Sequence, residues 1–484
     1  MPWKIATFAA QKPLLNLSQM ERREPHDIVY IYNKVYALHP EVSTDSRHCP
    51  EGSMFFALRG ERFDGNAYAS RAIDAGCAVA VVDDASVAAS LGERAILVDD
   101  VLQTLQALAA EHRRHFRGPV LQITGTNGKT TTKELIAAVL SRKYNVLYTQ
   151  GNLNNHIGVP LTLLRLRPEH EVAIIETGAN HPGEIAALTQ IVRPDMGLVT
   201  NVGRAHLEGF GSFEGVKRTK GELYDYLIGM PGKSVFYNPK DPDITEMVTE
   251  RCRYSSCDNT FTYVNGGVID DGREQLTFWW EGICHPSEKV ISHKTHTVAT
   301  QLVGRYNVNN LLAAATVGQH LNVNPDDIDA ALEAYTPSLG RSQLKHTAHN
   351  ELIVDAYNAN PTSMLVALDN FSHIRHDHKM VILGDMRELG YASLAEHRRI
   401  VETVAESGVS EAWFVGKEFA RALETEPGST IVLPSHRRAE GVKAMVLTDV
   451  AAAKERIAAA PPTDALILIK GSNGTHLYEL PDLL

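Results

Sequence analysis

Apolar residues are spaced differently in successive parts of the chain, and each spacing predicts a different structure. From about residue 113, short apolar runs alternate with segments in which apolar residues recur every three or four positions. The runs "PVLQIT", "NVLYTQ", "VAIIETG" and "MGLVTNV" predict strands, and "TTKELIAAVLSRK" predicts a helix with one apolar face. Near-continuous apolar strands alternating with helices favour a parallel sheet covered on both faces.

Three other regions differ from this pattern in their composition or in the length of their predicted strands. Residues 1–112 hold short strands such as "MFFALRG" and "AVAVVDD", and end in a helical pattern. Residues 258–302 have β-like composition with Gly turns and predict antiparallel strands. After a linker marked by Pro337 and Gly340, "LIVDAY", "MVILGD", "EAWFVG", "TIVL" and "ALILIK" alternate with helical segments. We therefore predict an α/β protein of three domains: a small α/β domain (1–112), a central phosphate-loop domain with a mostly parallel sheet (113–336) and a Rossmann-like domain (337–484).

Composition excludes several classes of protein. The net charge of -11 gives no overall attraction to nucleic acid or to an anionic membrane, so we expect neither partner. No apolar run reaches the ~18 residues of a membrane span, and the N-terminus lacks a signal-peptide core, so we expect a cytoplasmic protein. The five scattered cysteines form no CxxC pair and predict reduced thiols.

The stretch "LQITGTNGKTTTKE" predicts a phosphate-binding loop between a strand and a helix. Gly125 and Gly128 allow backbone N–H groups to turn toward phosphate oxygens, and the helix N-terminus points to the same place. Lys129 can reach the outer phosphates, and the Thr130 hydroxyl can bind Mg²⁺. The loop is two residues shorter than the usual version. The predicted ATP contacts here are Gly125, Thr126, Asn127, Gly128, Lys129, Thr130 and Thr131.

Two further residues follow predicted strands and are metal-ligand candidates. Glu176 ends "VAIIETG", where the carboxyl ends of parallel strands form a crevice. Mg²⁺ prefers oxygen ligands and takes only one or two from the protein, which favours Glu176 as a ligand over a helix cap or an ion-pair partner. His206 lies just beyond "MGLVTNV". From the residues alone it is equally well explained as a solvated loop histidine.

More segments follow in a fixed order. After the loop come "GNLNNHIGVPLTLL", "IIETGANHPGEI", "AHLEGFGS" and "KGELY", and the C-terminal part holds "GRYNVNNLLAAA", "DAYNANPTSM", "ILGDMRELG" and "IKGS". With the N-terminal "STDSR" and "GERFDG", they resemble the Mur ligases of cell-wall synthesis from about residue 40 to the end. The resemblance implies that the first domain binds a UDP-linked muramoyl-peptide. It also implies an ATP-dependent ligase that joins D-alanyl-D-alanine to the C-terminal carboxylate of UDP-N-acetylmuramoyl-tripeptide through an acyl phosphate. We expect a monomer.

The resemblance also assigns roles to individual residues. Two Mg²⁺ ions are implied, with Thr130 and Glu176 near the first, and His206 with a carbamylated Lys220 at the second. From the sequence alone Lys220 is a solvated helix lysine. The implied catalytic residues are Lys129, Glu176, His206 and Lys220. Further ATP contacts are implied for Asn307 and Asn310 at the adenine, Arg341 at the γ-phosphate and Asp355 near the ribose. The implied contacts to the UDP-linked substrate are Ser46 and Arg47 at the UDP diphosphate, and Asn152, Asn154 and Asn155 toward the muramoyl-peptide.

Simpler explanations exist for many of these residues. The asparagines can cap helices or form turns, Arg47 can be a surface arginine on a capped turn, and Asp355 can cap a local turn. Tyr357, Asn358 and Asn360 share a loop with Asp355.

Other classes of protein remain possible on the loop alone. These are a phosphate-loop kinase or motor ATPase, a silent UDP-sugar-binding paralogue, and a folate or cyanophycin-type ligase. A kinase needs neither Lys220 nor Arg341. A silent paralogue could have lost Glu176, His206 or Lys220, and all three are present. The folate-type ligases lack the "STDSR…GERFDG" region.

Overall fold

The N-terminal region is a parallel sheet with helices packed on both faces. The computed structural model describes residues 27–253, 255, 258–271, 274–282, 294–337 and 341–484. The parallel sheet has the order β1-β2-β5-β6, and β3 and β4 form a separate hairpin. Neighbouring residues Phe55 and Phe56 belong to hydrophobic clusters on opposite faces. The strands are β1 Val42–Ser43, β2 Met54–Phe56, β3 Arg59–Gly60, β4 Phe63–Asp64, β5 Val79–Val82 and β6 Ala95–Leu97, and the helices are Ile28–Tyr30, Ile31–Tyr36, Ala69–Asp74, Ala85–Leu91 and Val101–His115.

The next six strands form one sheet with the order β12-β11-β10-β7-β9-β8. The predicted strands and the helix after the phosphate loop are confirmed. The expectation that residues near 260 form an antiparallel strand is wrong, because β12 pairs in parallel with β11. The strands are β7 Val120–Thr124, β8 Val146–Tyr148, β9 Val172–Glu176, β10 Met196–Val199, β11 Ser234–Tyr237 and β12 Thr260–Thr262, and the helices are Lys129–Leu140, Gly158–Leu163, Glu184–Val192, Leu207–Phe210, Phe213–Leu227 and Pro242–Cys252.

A three-stranded antiparallel sheet and two helices complete the middle of the chain. The order β13-β14-β15 confirms the antiparallel prediction for "QLTFWWEG". Trp280 in β14 is fully buried and its indole N–H donates to Asp329 at 2.7 Å. The strands are β13 Gly266–Ile269, β14 Gln275–Gly282 and β15 Lys294–Val303, and the helices are Val308–His320 and Pro325–Ala334.

The C-terminal region is a seven-stranded, mostly parallel sheet with the order β16-β17-β22-β18-β19-β21-β20. Only the two edge strands, β16 and β20, are antiparallel to their neighbours. In β18, Val381 and Leu383 join one hydrophobic cluster while Met380 and Ile382 join another, so both faces are buried. The strands are β16 Gln343–His346, β17 Asn350–Asp355, β18 Lys379–Gly384, β19 Glu411–Val415, β20 Thr430–Leu433, β21 Val442–Leu447 and β22 Ala465–Lys470, and the helices are Pro361–His373, Ser393–Ala405, Lys417–Leu423 and Val450–Ala459.

The chain divides into two compact units. The first comprises residues 1–122, 144–178 and 186–196, and the second comprises 123–143, 179–185 and 197–484. The α/β class is confirmed by these parallel sheets. The three predicted domain boundaries stay a prediction, and the linker residue Gly340 lies outside the described residues.

The cysteine prediction needs a correction. Cys252 is disulfide-bonded, so the expectation of reduced thiols is wrong there. A CxxC pattern is not needed for a disulfide, since pairing depends on distance in the fold. Cys49 and Cys77 are free, and the other two cysteines lie outside the described residues. Among the described residues, no helix combines the length and apolar character needed to cross a bilayer.

Candidate active site

The phosphate loop has the strand–turn–helix form that the sequence predicts. Strand β7 is fully buried, and the helix Lys129–Leu140 begins directly after the loop. Gly125 has a φ of 140° and Gly128 a φ of 77°, which L side chains rarely adopt. A Cβ at Gly125 would lie 2.1 Å from the Thr200 hydroxyl, and one at Gly128 would lie 2.7 Å from the Asn310 side-chain oxygen. Both glycines are therefore required by backbone conformation and by space.

Lys129 is folded back over its own loop. Its ammonium donates to the carbonyl oxygens of Gly125 at 2.9 Å and Thr126 at 3.0 Å. These are neutral acceptors, so the ammonium can exchange them for the charged oxygens of a phosphate group. Thr130 and Thr131 are both buried in the first turn of the helix. The loop therefore places its cation and its Mg²⁺-ligand candidate side by side.

Side chains from distant segments clamp the loop. The Thr200 hydroxyl and the Asn201 amide donate to the carbonyl of Asn127 at 2.6 and 2.9 Å. The side chain of Asn127 also accepts from the Asn360 amide at 2.7 Å. Asn360 is the N-cap of the helix Pro361–His373, which belongs to the C-terminal region. Thr200 and Asn201 were missed by sequence reasoning, although "TNVG" directly after a buried strand was a usable signal.

The two asparagines predicted to approach adenine are buried and already bonded. Thr132 donates to Asn310 at 3.0 Å, and Asn310 donates to Asn307 at 2.8 Å. Asn307 in turn donates to the carbonyl of Val303 at 2.9 Å. This series of hydrogen bonds joins the helix after the phosphate loop to the helix Val308–His320. Both residues brace the loop, and their contact with adenine stays a prediction.

Lys220 is buried, which the sequence alone did not indicate. It lies on the helix Phe213–Leu227 with 2% of its surface exposed. Its nitrogen is 3.5 Å from the carbonyl of Ala179 and 5.4 Å from the centre of the Phe210 ring. Burial and, less strongly, the charge of Lys129 together lower the pKa of Lys220 to about 7, against the opposing carboxylates of Glu184 and Glu222. A substantial fraction of this amine is therefore neutral near pH 7.

His206 contacts a carboxylate from the C-terminal region. Its Nδ1 is in direct contact with Oε2 of Glu388. The hydrogen bond from His206 lowers the pKa of the Glu388 carboxyl. The His206 ring lies edge-on to Phe210, the same ring that Lys220 contacts, with 6.3 Å between ring centres. The structure therefore brings His206 and Lys220 to the same aromatic side chain.

The C-terminal candidates form a second group. The Arg341 guanidinium stacks over the Tyr357 ring at 3.6 Å. Asp355 accepts from the ammonium of Lys470 at 2.5 Å, and Lys470 also donates to the carbonyl of Asn358 at 3.2 Å. The role of Lys470 was missed, although the sequence places it at the end of an apolar strand in "IKGS". Whether Asp355 binds ribose stays a prediction.

The remaining candidates belong to the first unit. Glu176 is buried, and its Oε1 accepts from the Asn154 amide at 2.8 Å. The Asn155 side chain accepts from the backbone N–H groups of Ile157 and Gly158 in the turn before the next helix. Asn152 is exposed, and its carbonyl accepts from the Asn154 backbone. Among these three amides, only the side chain of Asn154 is recorded in contact with a predicted metal ligand.

The predicted diphosphate contact is at the surface. Ser46 is buried, whereas the Arg47 side chain is 77% exposed. Arg47 forms a fork with the Asp45 carboxylate at 2.7 to 3.2 Å and holds the pKa of that carboxyl well below its usual range. This geometry matches the capped turn with a surface arginine. A diphosphate would have to replace Asp45, and that role stays a prediction.

The phosphate loop defines a class of protein, a nucleotide-dependent enzyme. The loop is built for a nucleoside triphosphate, and the buried amine of Lys220 has no use in a simple phosphate-loop kinase. Models of known families match most of the chain: the Mur ligase family, catalytic domain (residues 40–113), the Mur ligase middle domain (123–318) and the Mur ligase, glutamate ligase domain (340–473). The chain belongs to the Mur ligase family.

Individual relatives are similar over most of their length. UDP-N-acetylmuramoyl-tripeptide--D-alanyl-D-alanine ligase of Escherichia coli (strain K12) is 37% identical over 80% of this chain and 83% of its own. The enzyme of the same name from Bacillus subtilis (strain 168) is 34% identical over 78% and 80%. Crystal structure I of MurF from Acinetobacter baumannii matches with a TM-score of 0.76 at 31% identity, over 92% of this chain and 93% of its own.

Proposed function

We propose that this enzyme is an ATP-dependent ligase that joins D-alanyl-D-alanine to the C-terminal carboxylate of UDP-N-acetylmuramoyl-tripeptide in peptidoglycan precursor synthesis. The relatives that carry this activity in their names are 37% and 34% identical over about four-fifths of the chain. The observation in the structure that carries the proposal is the buried Lys220, whose pKa is lowered by burial and by the ammonium of Lys129.

The reaction has two steps that the loop residues serve. A carboxylate oxygen of the tripeptide attacks the γ-phosphorus of ATP, ADP leaves, and an acyl phosphate forms. Backbone N–H groups between Gly125 and Thr130 bind the phosphates, and Lys129 leaves its two carbonyl partners to neutralise the transferring group. The amine of D-alanyl-D-alanine then attacks the acyl carbon, phosphate leaves, and the nitrogen loses a proton.

The residues fit the two Mg²⁺ ions that such a ligase uses. When bound, the ions screen the repulsion between ATP and the acceptor carboxylate. Thr130 and Glu176 offer a hydroxyl and a buried carboxylate, the oxygen ligands that Mg²⁺ prefers. Lys220 fits only after its neutral amine attacks CO₂ and releases a proton, because the product carbamate is an anion. His206 would be the remaining ligand of the second ion.

The other parts of the proposal follow from the reaction. Arg341 is assigned to the γ-phosphate, Asp355 to the ribose, Asn307 and Asn310 to the adenine side, and Ser46 with Arg47 to the UDP group. Because all of these come from one chain, we propose an active monomer. We place it in the cytoplasm, where ATP is supplied.

One assay tests the proposed function. Purified enzyme is given ATP, Mg²⁺ and UDP-N-acetylmuramoyl-tripeptide, and ADP release is measured together with the peptide product by mass spectrometry. We expect one ADP for each pentapeptide product with D-alanyl-D-alanine, and little product with D-alanine or L-alanine alone. ADP release that needs no amine, or equal use of single amino acids, would contradict the proposal.

A further inference from the structure

The contact between His206 and Glu388 fixes the protonation pattern of the imidazole. A carboxylate oxygen can only accept a hydrogen bond at this site, so Nδ1 of His206 carries the proton. In a neutral imidazole the lone pair then lies on Nε2. Carboxylate–histidine pairs of this kind hold the ring nitrogen of metal-binding histidines in the tautomer that can ligate.

Glu388 is held in place by the backbone before it. The Asp385 carboxylate accepts from the backbone N–H groups that begin the helix Lys417–Leu423, both at 3.0 Å. The N–H of Met386 donates to His397 at 3.1 Å, and the N–H of Arg387 donates to Ser472 at 3.1 Å. Three consecutive residues are thus anchored before Glu388, which itself has a φ of 61°. Such a conformation persists in a non-glycine residue only where the surroundings determine it.

The His206 segment is held against the same region by other contacts. The backbone N–H of Arg204 donates to the Thr362 hydroxyl at 3.0 Å, and its guanidinium lies 3.8 Å from the Glu396 carboxylate. Glu396 does not contact His206, so it provides a matched comparison for Glu388. Both carboxylates lie in the C-terminal region and contact the segment that holds Arg204 and His206, but only Glu388 touches the imidazole.

We propose that Glu388 is a positioning residue that orients His206 with its Nε2 available to a divalent cation. The cation site at His206 is then complete only when the segment after β18 is docked against it. This inference rests on the proposed function, because it takes His206 as a metal ligand. The C-terminal region would then contribute to metal binding through Glu388, in addition to contacting the γ-phosphate through Arg341. Linkage requires the reverse as well, so a bound cation would favour the docked arrangement.

The first test needs no metal and no substrate. The full chain is labelled with ¹⁵N-histidine, and the His206 signals are assigned by their absence from the His206→Gln spectrum. We expect a protonated Nδ1 and an unprotonated Nε2 in the wild-type protein, and loss of that tautomer in Glu388→Ala. A wild-type spectrum with the proton on Nε2 would overturn the proposal while leaving the proposed function untouched.

The second test measures cation affinity directly. Mn²⁺ is titrated into the ADP-bound protein, and free Mn²⁺ is measured by electron paramagnetic resonance. We expect Glu388→Ala to lower the Mn²⁺ affinity of the site at His206, the lower-affinity site of the two, by about 10- to 100-fold. Glu388→Gln keeps a neutral acceptor for Nδ1 and should weaken that site less. Glu396→Gln should leave both sites unchanged.

The outcomes separate the possible explanations. Tighter Mn²⁺ binding in Glu388→Ala would show that Glu388 competes with the cation, and would overturn the proposal. Equal losses in Glu388→Ala and Glu396→Gln would show that docking alone matters and that the tautomer does not, which also overturns it. Melting curves of each variant check folding, and Glu388→Gln provides the test if Glu388→Ala does not fold. If the wild-type protein binds Mn²⁺ at both sites and the variants behave as expected, but the wild type does not make the pentapeptide, the proposed function fails and the positioning role stands.

Discussion

Replacing Lys220 by methionine should abolish activity and at the same time stabilise the protein. Lowering the pKa of Lys220 from 10.5 to about 7 corresponds to about 5 kcal/mol, since one pKa unit is ~1.36 kcal/mol. This is the free energy by which burial and the nearby charge of Lys129 disfavour the ammonium form. Methionine has a similar length, carries no charge and fits a buried site, so Lys220→Met removes that cost.

The pH dependence of this stabilisation follows from linkage. Below about pH 7 the amine is protonated in both the folded and the unfolded chain, so the full cost of burying the ammonium is present. Between about 7 and 10.5 the unfolded chain binds more protons than the folded chain, so stability rises with pH and the cost declines. Lys220→Met should therefore raise the melting temperature most at pH 6 and progressively less toward pH 10.

Scanning calorimetry in CO₂-free buffer measures the effect as a melting temperature, because a chain of several domains need not unfold in two states. Lys217→Met is the matched control on the same helix. Lys217 pairs with Asp243 and Glu246, and these partners raise its pKa. Removing that lysine should lower the melting temperature or leave it unchanged.

The activity of the same variants tests the chemical role. Metal-assisted stabilisation is worth several kcal/mol, so Lys220→Met should lose about 100-fold or more in turnover while still binding ATP. Acetate added to Lys220→Ala should restore part of the activity by supplying a carboxylate in the vacated space. Near-normal turnover in Lys220→Met, or a lower melting temperature at pH 6 than that of the Lys217→Met control, would refute the reasoning.

Three further predictions follow from the geometry. Gly128→Ala should lose most of its ADP affinity in a calorimetric titration, because its Cβ would lie 2.7 Å from the Asn310 oxygen at a φ of 77°; unchanged affinity would show that the loop relaxes at no cost. Lys470→Met should leave the Asp355 carboxylate without its 2.5 Å partner and raise the KM for ATP more than it lowers kcat; an unchanged KM would separate Asp355 from nucleotide binding. Burial lowers the pKa of His397, so below about pH 6.5 the unfolded chain binds more protons than the folded chain. Melting temperatures should therefore fall from pH 7 to pH 5 less steeply in His397→Gln than in the wild type, and parallel curves would contradict this.

The sequence by itself determined the features that depend on neighbouring residues. The phosphate loop lies where "GTNGKTT" predicts it, because two glycines, a preceding buried strand and a following helix are local requirements. The parallel C-terminal sheet also follows from its apolar strands, which are buried on both faces. Strands without that pattern were missed: β16 and β21 each mix polar with apolar residues.

Only the tertiary structure decided features that depend on distant parts of the chain. Strand β12 has antiparallel-like composition but pairs in parallel with β11, because strand direction is set by the connection between them and not by residue type. The sequence cannot show that Lys220 is buried near the charge of Lys129, because burial depends on how distant segments pack. The lowered pKa of Lys220 follows from that packing. The same holds for His206, whose Nδ1 meets a carboxylate 182 positions further along the chain.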